Sequence, residues 1–429
     1  MSLIVVCLLA AGLGTVIWST VGVIRVVAGR FASSTPPPPH RLRSRDVAVL
    51  IAAHDEELVI EHTIRSAAAL VATEQIFVVS DGSHDETVAI AEAAGATVLD
   101  LHPNRGKAGA IEAAIEALGL AKRFEVVMLL DADTQLADDY FETGLPLFDD
   151  ADVVAVAGRA TTLRERAGAS VLARAIVDHR ERVYVLVQFL HKFGQAARGV
   201  NAVSIVPGFA SMYRSRVLAD IDIAAKGLAI EDYNMTFEIH AKRLGRIAFH
   251  PHAAVAFTQD PVMFRDYIAQ VSRWNLGFWQ TVRRHGAHIG VFWAALGFSI
   301  AELVFSSLLL VIIAPVLIAL TAFAVVDAVD GPATTTASII VGAAPPLVLL
   351  LALLIPDLVM TGIAVLLTGN PSMLRSAGWF PLLRVLDAML CLRALARAAR
   401  SPTTGAWTSP TRRAVDAVAA HATATSTAR

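Results

Sequence analysis

An α/β domain with a parallel sheet, carried on helices that cross a membrane, is the fold class this sequence predicts. Three observations predict it. Short apolar runs alternate with amphipathic stretches from Asp46 to about Ala157. Acidic residues recur where those runs end. Long, nearly uncharged apolar segments lie on both sides of this middle region. Strict alternation of strand and helix favours a parallel sheet covered on both faces, and ligands of such sheets bind beyond the carboxyl ends of the strands.

In chain order, Val47 to Ala53, Gln75 to Ser80, Ala96 to Leu101, Val126 to Asp131 and Val153 to Ala157 read as buried strands. Between them Glu56 to Leu70, Asp85 to Ala94, Lys107 to Ala121 and Asp138 to Phe148 read as helices. This register puts Asp55, Asp81, Asp131 and Asp133 at one sheet edge. Farther on, Arg164 to Phe193 reads as an amphipathic helix mixing Arg180, Arg182 and Lys192 with Val183, Leu186 and Phe189. It suits a membrane interface or a packed helix equally.

Composition agrees with a chain partly in lipid: 55% of the 429 residues are hydrophobic, only 17% are charged, and mean hydropathy is +0.57. Leu3 to Val27 is long enough to span, and its positive flank (Arg25, Arg30, Arg41, Arg43, Arg45) follows it, the pattern of an uncleaved anchor rather than a secretory signal. The positive side predicts a cytoplasmic middle region at the plasma membrane, with Pro36 to Pro39 as a stiff spacer. Val291 to Val326 and Ser338 to Leu367 predict two more spans. Phe380 to Ala399, interrupted by Arg384, Asp387, Arg393 and Arg397, reads better as an interfacial helix. Glu302 and Asp357 are carboxylates inside apolar runs, where they predict a polar path. The tail from Ser401 reads as disordered. Membrane lipid is an expected partner and nucleic acid is not, since the net charge is −2 without a long basic run. Cys7 and Cys391 supply neither a disulfide framework nor zinc spacing.

Four clusters carry the chemistry. V-V-S-D-G-S contains Asp81, although D-G-S-H-D is by itself a good turn and helix cap. L-L-D-A-D-T places Asp131 and Asp133 one residue apart, where the two repel unless a cation neutralises them; oxygen ligands of this kind suit Mg2+ or Mn2+. I-E-D-Y-N contains Glu231 and Asp232, the latter suited to general-base work or to the first turn of a helix through Thr236 and Ile239. Q-V-S-R-W contains Gln270, a guanidinium (Arg273) for phosphate and an indole (Trp274) for a sugar face. His54, His84 and His102 read as ordinary surface or core residues.

The ordered set I-A-A-H-D-E-E (51 to 57), V-V-S-D-G-S-H-D-E-T (78 to 87), N-R-G-K-A-G-A-I (104 to 111), L-D-A-D (130 to 133), G-F-A-S-M-Y-R (208 to 214), I-E-D (230 to 232) and Q-V-S-R-W (270 to 274) resembles the family 2 inverting glycosyltransferases. Within them it is similar to the branch of cellulose, chitin, hyaluronan and poly-N-acetylglucosamine synthases. The resemblance, over about residues 46 to 280, implies a GT-A (Rossmann-like) fold, a nucleotide-sugar donor and a divalent metal. It implies that Asp81 and Asp55 hold the nucleoside end and that Lys107 approaches the phosphates. By the same resemblance Asp131 faces donor sugar and metal, Asp133 ligates the metal and Asp232 is the base. Arg273 would offset the leaving diphosphate, while Trp274, with Gln270 and Glu231, would meet the acceptor. Two departures stand out: Ser80-Asp81 where many relatives have two aspartates, and Ala52-Ala53-His54-Asp55 where many have Pro-Ala-Tyr-Asn.

The expected activity is inverting transfer of glucose or N-acetylglucosamine from UDP to a growing polysaccharide, with an accessory subunit or a second copy helping to form any export path. Single transfer to a lipid or other membrane acceptor is the nearest alternative, and a catalytically silent transport or assembly subunit is another. A dinucleotide enzyme is excluded because Ala52-Ala53-His54-Asp55 lacks the glycine-rich turn that cradles a pyrophosphate.

Overall fold

The computed structural model describes residues 12–31, 41–163, 170–330 and 345–400. The first residues of the predicted anchor, Cys7, the Pro36 to Pro39 spacer, the start of the Arg164 helix, most of the linker after Asp327 and the tail from Ser401 lie outside the described residues.

The middle region is built on β1 (Val47–Ala53), β2 (Ile76–Asp81), β3 (Thr97–Leu101), β4 (Val126–Asp131), β6 (Val153–Val156), β8 (Ala210–Arg214) and β9 (Arg246–Ala248). They form one sheet in the order β3-β2-β1-β4-β8-β6-β9. A second sheet, β5-β10-β7, joins Thr134–Leu136, Val255–Thr258 and Arg159–Thr162. All seven residues of β1 are buried. Alternate residues face opposite layers: Val49 and Ile51 pack against Ile60 and Ile64 of α2 (Ile60–Ala68), while Leu50 and Ala52 pack against Ala110 and Ile111 of α4 (Gly106–Ala117). Between these helices α3 (Thr87–Ala93) covers β2 and β3. Each fully buried Ile or Leu contributes about 1.5–3 kcal/mol.

The sheet is not wholly parallel. β8 runs antiparallel to both β4 and β6. This corrects the all-parallel expectation, and it matters for the cleft: antiparallel pairing sets the start of β8 beside the end of β4, where the Asp131 amide donates to Phe209 O at 2.8 Å. Gly158, between β6 and β7, has no room for a side chain, because a Cβ would lie 1.7 Å from Ala210 O.

Among the described residues, the remaining α-helices of five or more residues are α1 (Leu13–Phe31), α5 (Tyr140–Gly144), α6 (Val171–Leu186, continued by a π-helical turn Val187–Lys192), α7 (Asp232–Ala241), α8 (Phe264–His285), α9 (Val291–Asp330), α10 (Pro346–Thr368) and α11 (Phe380–Ala398). Three of them, at Leu13–Arg30, Val291–Val325 and Pro346–Thr368, are long and apolar enough to cross a membrane. α11 is not among them; it packs on α8 and α9.

Glu302 and Asp357 are each engaged by partners within the chain. Glu302 of α9 accepts from the Gly14 amide at the start of α1 (2.8 Å), where a helix has unpaired N–H groups. Asp357 of α10 is 3% exposed and pairs with Arg182 of α6 and with Arg384 of α11 (3.0 Å).

Candidate active site

One cleft of about 810 Å³ collects most of the predicted residues: Lys107, Asp131, Asp133, Glu231, Asp232, Gln270, Arg273 and Trp274 all line it. β4 ends in Asp131, and the turn that follows carries Asp133. Lys107, in the first turn of α4, reaches Asp131 Oδ1 at 2.7 Å and Glu231 Oε1 at 2.8 Å. It therefore bridges two sequence clusters whose bridged carboxylates, Asp131 and Glu231, are 100 residues apart. Gly208 makes this approach possible: a Cβ there would stand 3.1 Å from Glu231 Oε1 and 3.3 Å from Lys107 Nζ.

Charge on this floor is poised. Burial raises the Asp131 carboxyl, Lys107 pulls it back, and repulsion from Asp133 leaves it above the ordinary range. Burial would raise Glu231 as well, but the Lys107 ammonium outweighs it and holds Glu231 low. Asp232, the first residue of α7, is pushed up to about 6 by burial and by the neighbouring Glu231 carboxylate. Its Oδ2 accepts from the Gly208 amide (3.3 Å) and its Oδ1 from Tyr233 N (2.9 Å). Asp232 thus begins a helix and faces the cleft, so the two sequence readings of this residue are compatible.

Asp81 and Asp55 do not line the cleft. Asp81, fully buried at the end of β2, accepts the Arg105 amide on Oδ1 (2.6 Å), and its Oδ2 has no partner among the described residues. Asp55 adopts left-handed backbone (φ +54) and accepts the His84 amide at 2.8 Å. Asp81 braces the loop that sets the start of α4, and Asp55 braces the turn that leads from β2 into α3.

On α8, Gln270, Arg273 and Trp274 share one face by their spacing of three and four. The Trp274 ring is covered by the Arg180 guanidinium, 4.2 Å from its centroid. α6 supplies an entire wall that sequence reasoning did not assign: Arg180, Val183, Tyr184, Val187, Gln188 and Lys192. Their spacing marks one helical face, yet the charges invited an interfacial reading. Glu56, after β1, was also missed.

No group of three His, Cys, Asp or Glu side chains capable of holding a metal forms among the described residues. Asp131 and Asp133 nevertheless suit a hard divalent ion that takes its other ligands from phosphate and water, and Lys107 now supplies the positive charge that Asp131 requires.

Residues 44–277 match the family described as "Glycosyltransferase like family 2". No curated protein matches significantly. Among solved structures, the mannosyltransferase PcManGT from Pyrobaculum calidifontis, in complex with GDP-Man and Mn2+, is similar at 16% identity over 90% of this chain and 99% of its own, with a TM-score of 0.50. Glucosyl-3-phosphoglycerate synthase from Mycobacterium tuberculosis matches at 18% identity over 56% of this chain and 80% of its own, TM-score 0.37. Mannosyl-3-phosphoglycerate synthase from Rubrobacter xylanophilus matches at 17% over 56% and 75%, TM-score 0.37. The family match covers more than half of the 429 residues and coincides with the sheet and cleft just described: the chain belongs to glycosyltransferase-like family 2, built on a GT-A α/β domain with additional apolar helices.

Proposed function

We propose that the chain transfers a hexose, with inversion, from a nucleoside-diphosphate donor to a hydroxyl of an acceptor held at the cytoplasmic face of the plasma membrane. The observation that carries this reading is the meeting of Lys107, Asp131, Asp133, Glu231, Asp232 and Arg273 in one cleft. In this reading residues 46–280 are the catalytic unit, and residues before and after it supply the membrane helices.

Asp133, with Asp131, would hold Mg2+ or Mn2+, which when bound neutralises charge on the donor phosphates. Binding of the donor releases Lys107 from Asp131 toward phosphate. Asp232 takes the proton from the acceptor hydroxyl as that oxygen attacks the anomeric carbon from the face opposite the leaving group. Arg273 offsets charge on the departing diphosphate. Asp81, buried outside the cleft, would act on the donor only through the Arg105 loop that it braces. The motif resemblance favours UDP-glucose or UDP-N-acetylglucosamine, while the similar mannosyltransferase was solved with GDP-Man and Mn2+.

Between lengthening a polysaccharide and single transfer to a membrane-anchored acceptor, two observations favour the latter. Arg180 occupies the Trp274 face on which a sugar would stack, and Glu302 and Asp357 are engaged by Gly14 and by two arginines.

The purified protein, incubated with UDP- and GDP-hexoses, membrane extract as acceptor source and Mn2+ or Mg2+, should release nucleotide with one donor class and yield products bearing one added sugar. Asp133→Ala, or excess chelator, should abolish release while the protein stays folded. Release that persists in both would refute the metal assignment, long products would restore the polymerase reading, and no release from any donor would refute the transferase reading.

A further inference from the structure

A break in the regular coil of α6 determines which side chain of that helix reaches the base. From Val187 to Lys192 the backbone is π-helical, and the Phe193 amide bonds back to Gln188 O, five residues away. Such turns hold one residue more than an α-turn and occur frequently at functional sites. Unbroken α-helix advances about 100° per residue, so His191 would fall about 20° from Arg180, on the cleft face, and Lys192 about 120° away. The wider turn reverses this. Lys192 lines the cleft, whereas His191 is turned to α1, with its Nε2 at 3.0 Å from the Thr15 hydroxyl. The turn is held from two sides: Gln188 is clamped to Ala160 of β7 through both of its amide atoms (2.7 and 2.9 Å), and Leu190 O accepts from Ser19 of α1 (3.3 Å).

Lys192 is 5% exposed, its ammonium lies 5.3 Å from the centre of the Phe249 ring, and it makes no ion pair with a described residue. Burial pulls it down to about 8 while Asp232 pulls it back up, so it stays charged at neutral pH. The charged groups that act on Asp232 are thus Glu231 beside it, Lys107 of α4 and Lys192 of α6. The Tyr213 and Tyr233 hydroxyls are near as well, and Arg273 of α8 acts on Glu231. Glu231 opposes ionisation of the base, and the two ammonium groups favour it. Lys107, however, is engaged by Asp131 and Glu231, and in the proposed reaction it turns to the donor phosphates. Lys192 has no such second partner among the described residues.

We infer that Lys192, brought round by the π-helical turn, is a positioning residue for the base: once donor phosphate draws Lys107 away, Lys192 is the cation that keeps the Asp232 carboxylate ionised for the acceptor hydroxyl. The inference rests on the sugar-transfer reading of the cleft and adds a residue to it. It gives Lys192 no contact with donor or acceptor.

The test follows nucleotide release by the full chain in detergent as a function of pH. The acid limb of kcat/KM reports the free enzyme and that of kcat the substrate complex. Lys192→Met keeps the apolar stem against Phe249 and removes the charge; Lys192→Gln is a second neutral variant. In both, the kcat limb should move to higher pH by about one unit, the lower end of what a neighbouring charge supplies. It should move further than the kcat/KM limb, because Lys107 is still beside the base in the free enzyme. Lys192→Arg should return the limb toward the wild-type position. A kcat limb that stays in place, or moves no further than that of kcat/KM, overturns the inference, while continued turnover leaves the transfer reading standing. A loss uniform across pH and not restored by Lys192→Arg also overturns it, since that is the signature of a packing role. Absence of nucleotide release by the wild type with every donor sinks the transfer reading and this inference with it.

Discussion

Burial and the Glu231 carboxylate hold Asp232 near 6, within reach of neutral pH, while the Lys107 ammonium and then its two backbone hydrogen bonds keep it from rising further. A base must be ionised to work, so the sign is fixed: activity should fall as pH drops through about 6 and level off above it. The acid limb of kcat/KM reports this free-enzyme value. Glu231→Gln removes a negative neighbour and should move the limb to lower pH; a limb unmoved in this variant would mean that another group is being titrated. Asp232→Asn should retain donor binding and lose transfer by ~10²-fold or more, the usual scale for a positioned base. A loss of donor affinity in proportion to activity would instead make Asp232 a substrate ligand.

At the scale of elements, what was legible followed from local pattern. β1 and β4 carry long buried runs and fall within a residue of their predicted bounds, because continuous apolar character bounded by turn residues leaves little choice. β5, β7, β9 and β10 are three or four residues long and exist through partners far along the chain, as in the pairing of β10 with both β5 and β7. Local periodicity carries no such information. The same holds for β8, whose antiparallel insertion depends on where its neighbours already lie. The cleft was legible from its motifs through Lys107, Asp131, Glu231 and Asp232, but the α6 wall was not, since Arg180 and Arg182 are charges turned inward on opposite faces. That inward charge is testable. Asp357→Ala would leave the buried Arg182 without its carboxylate, and removing one partner of a buried pair costs about 3–5 kcal/mol. The melting temperature in detergent should fall by several degrees, and an unchanged value would show that Arg182 finds another partner or water.

At the scale of the whole molecule, the first apolar helix packs behind the cleft wall and is not merely tethered to the domain. Gly194, just past the π-helical turn of α6, lies so close to Trp18 of α1 that a Cβ would come within 2.2 Å of the Trp18 carbonyl. Arg25 donates to Phe193 O (2.9 Å) and Phe249 O (3.2 Å), and Thr15 and Ser19 contact His191 and Leu190. This docking puts the basic end of α1 (Arg25, Arg30) on the catalytic side, and basic flanks are retained in the cytoplasm. Glu142 of α5 is exposed on that domain, so it reports its side of the membrane without disturbing the core. In a background with Cys7 and Cys391 replaced, Glu142→Cys should resist a membrane-impermeant maleimide in intact cells and react fully in inside-out vesicles. Labelling in intact cells would place the cleft outside, where cytoplasmic nucleotide sugars cannot reach it, and would reverse the direction in which α1 crosses.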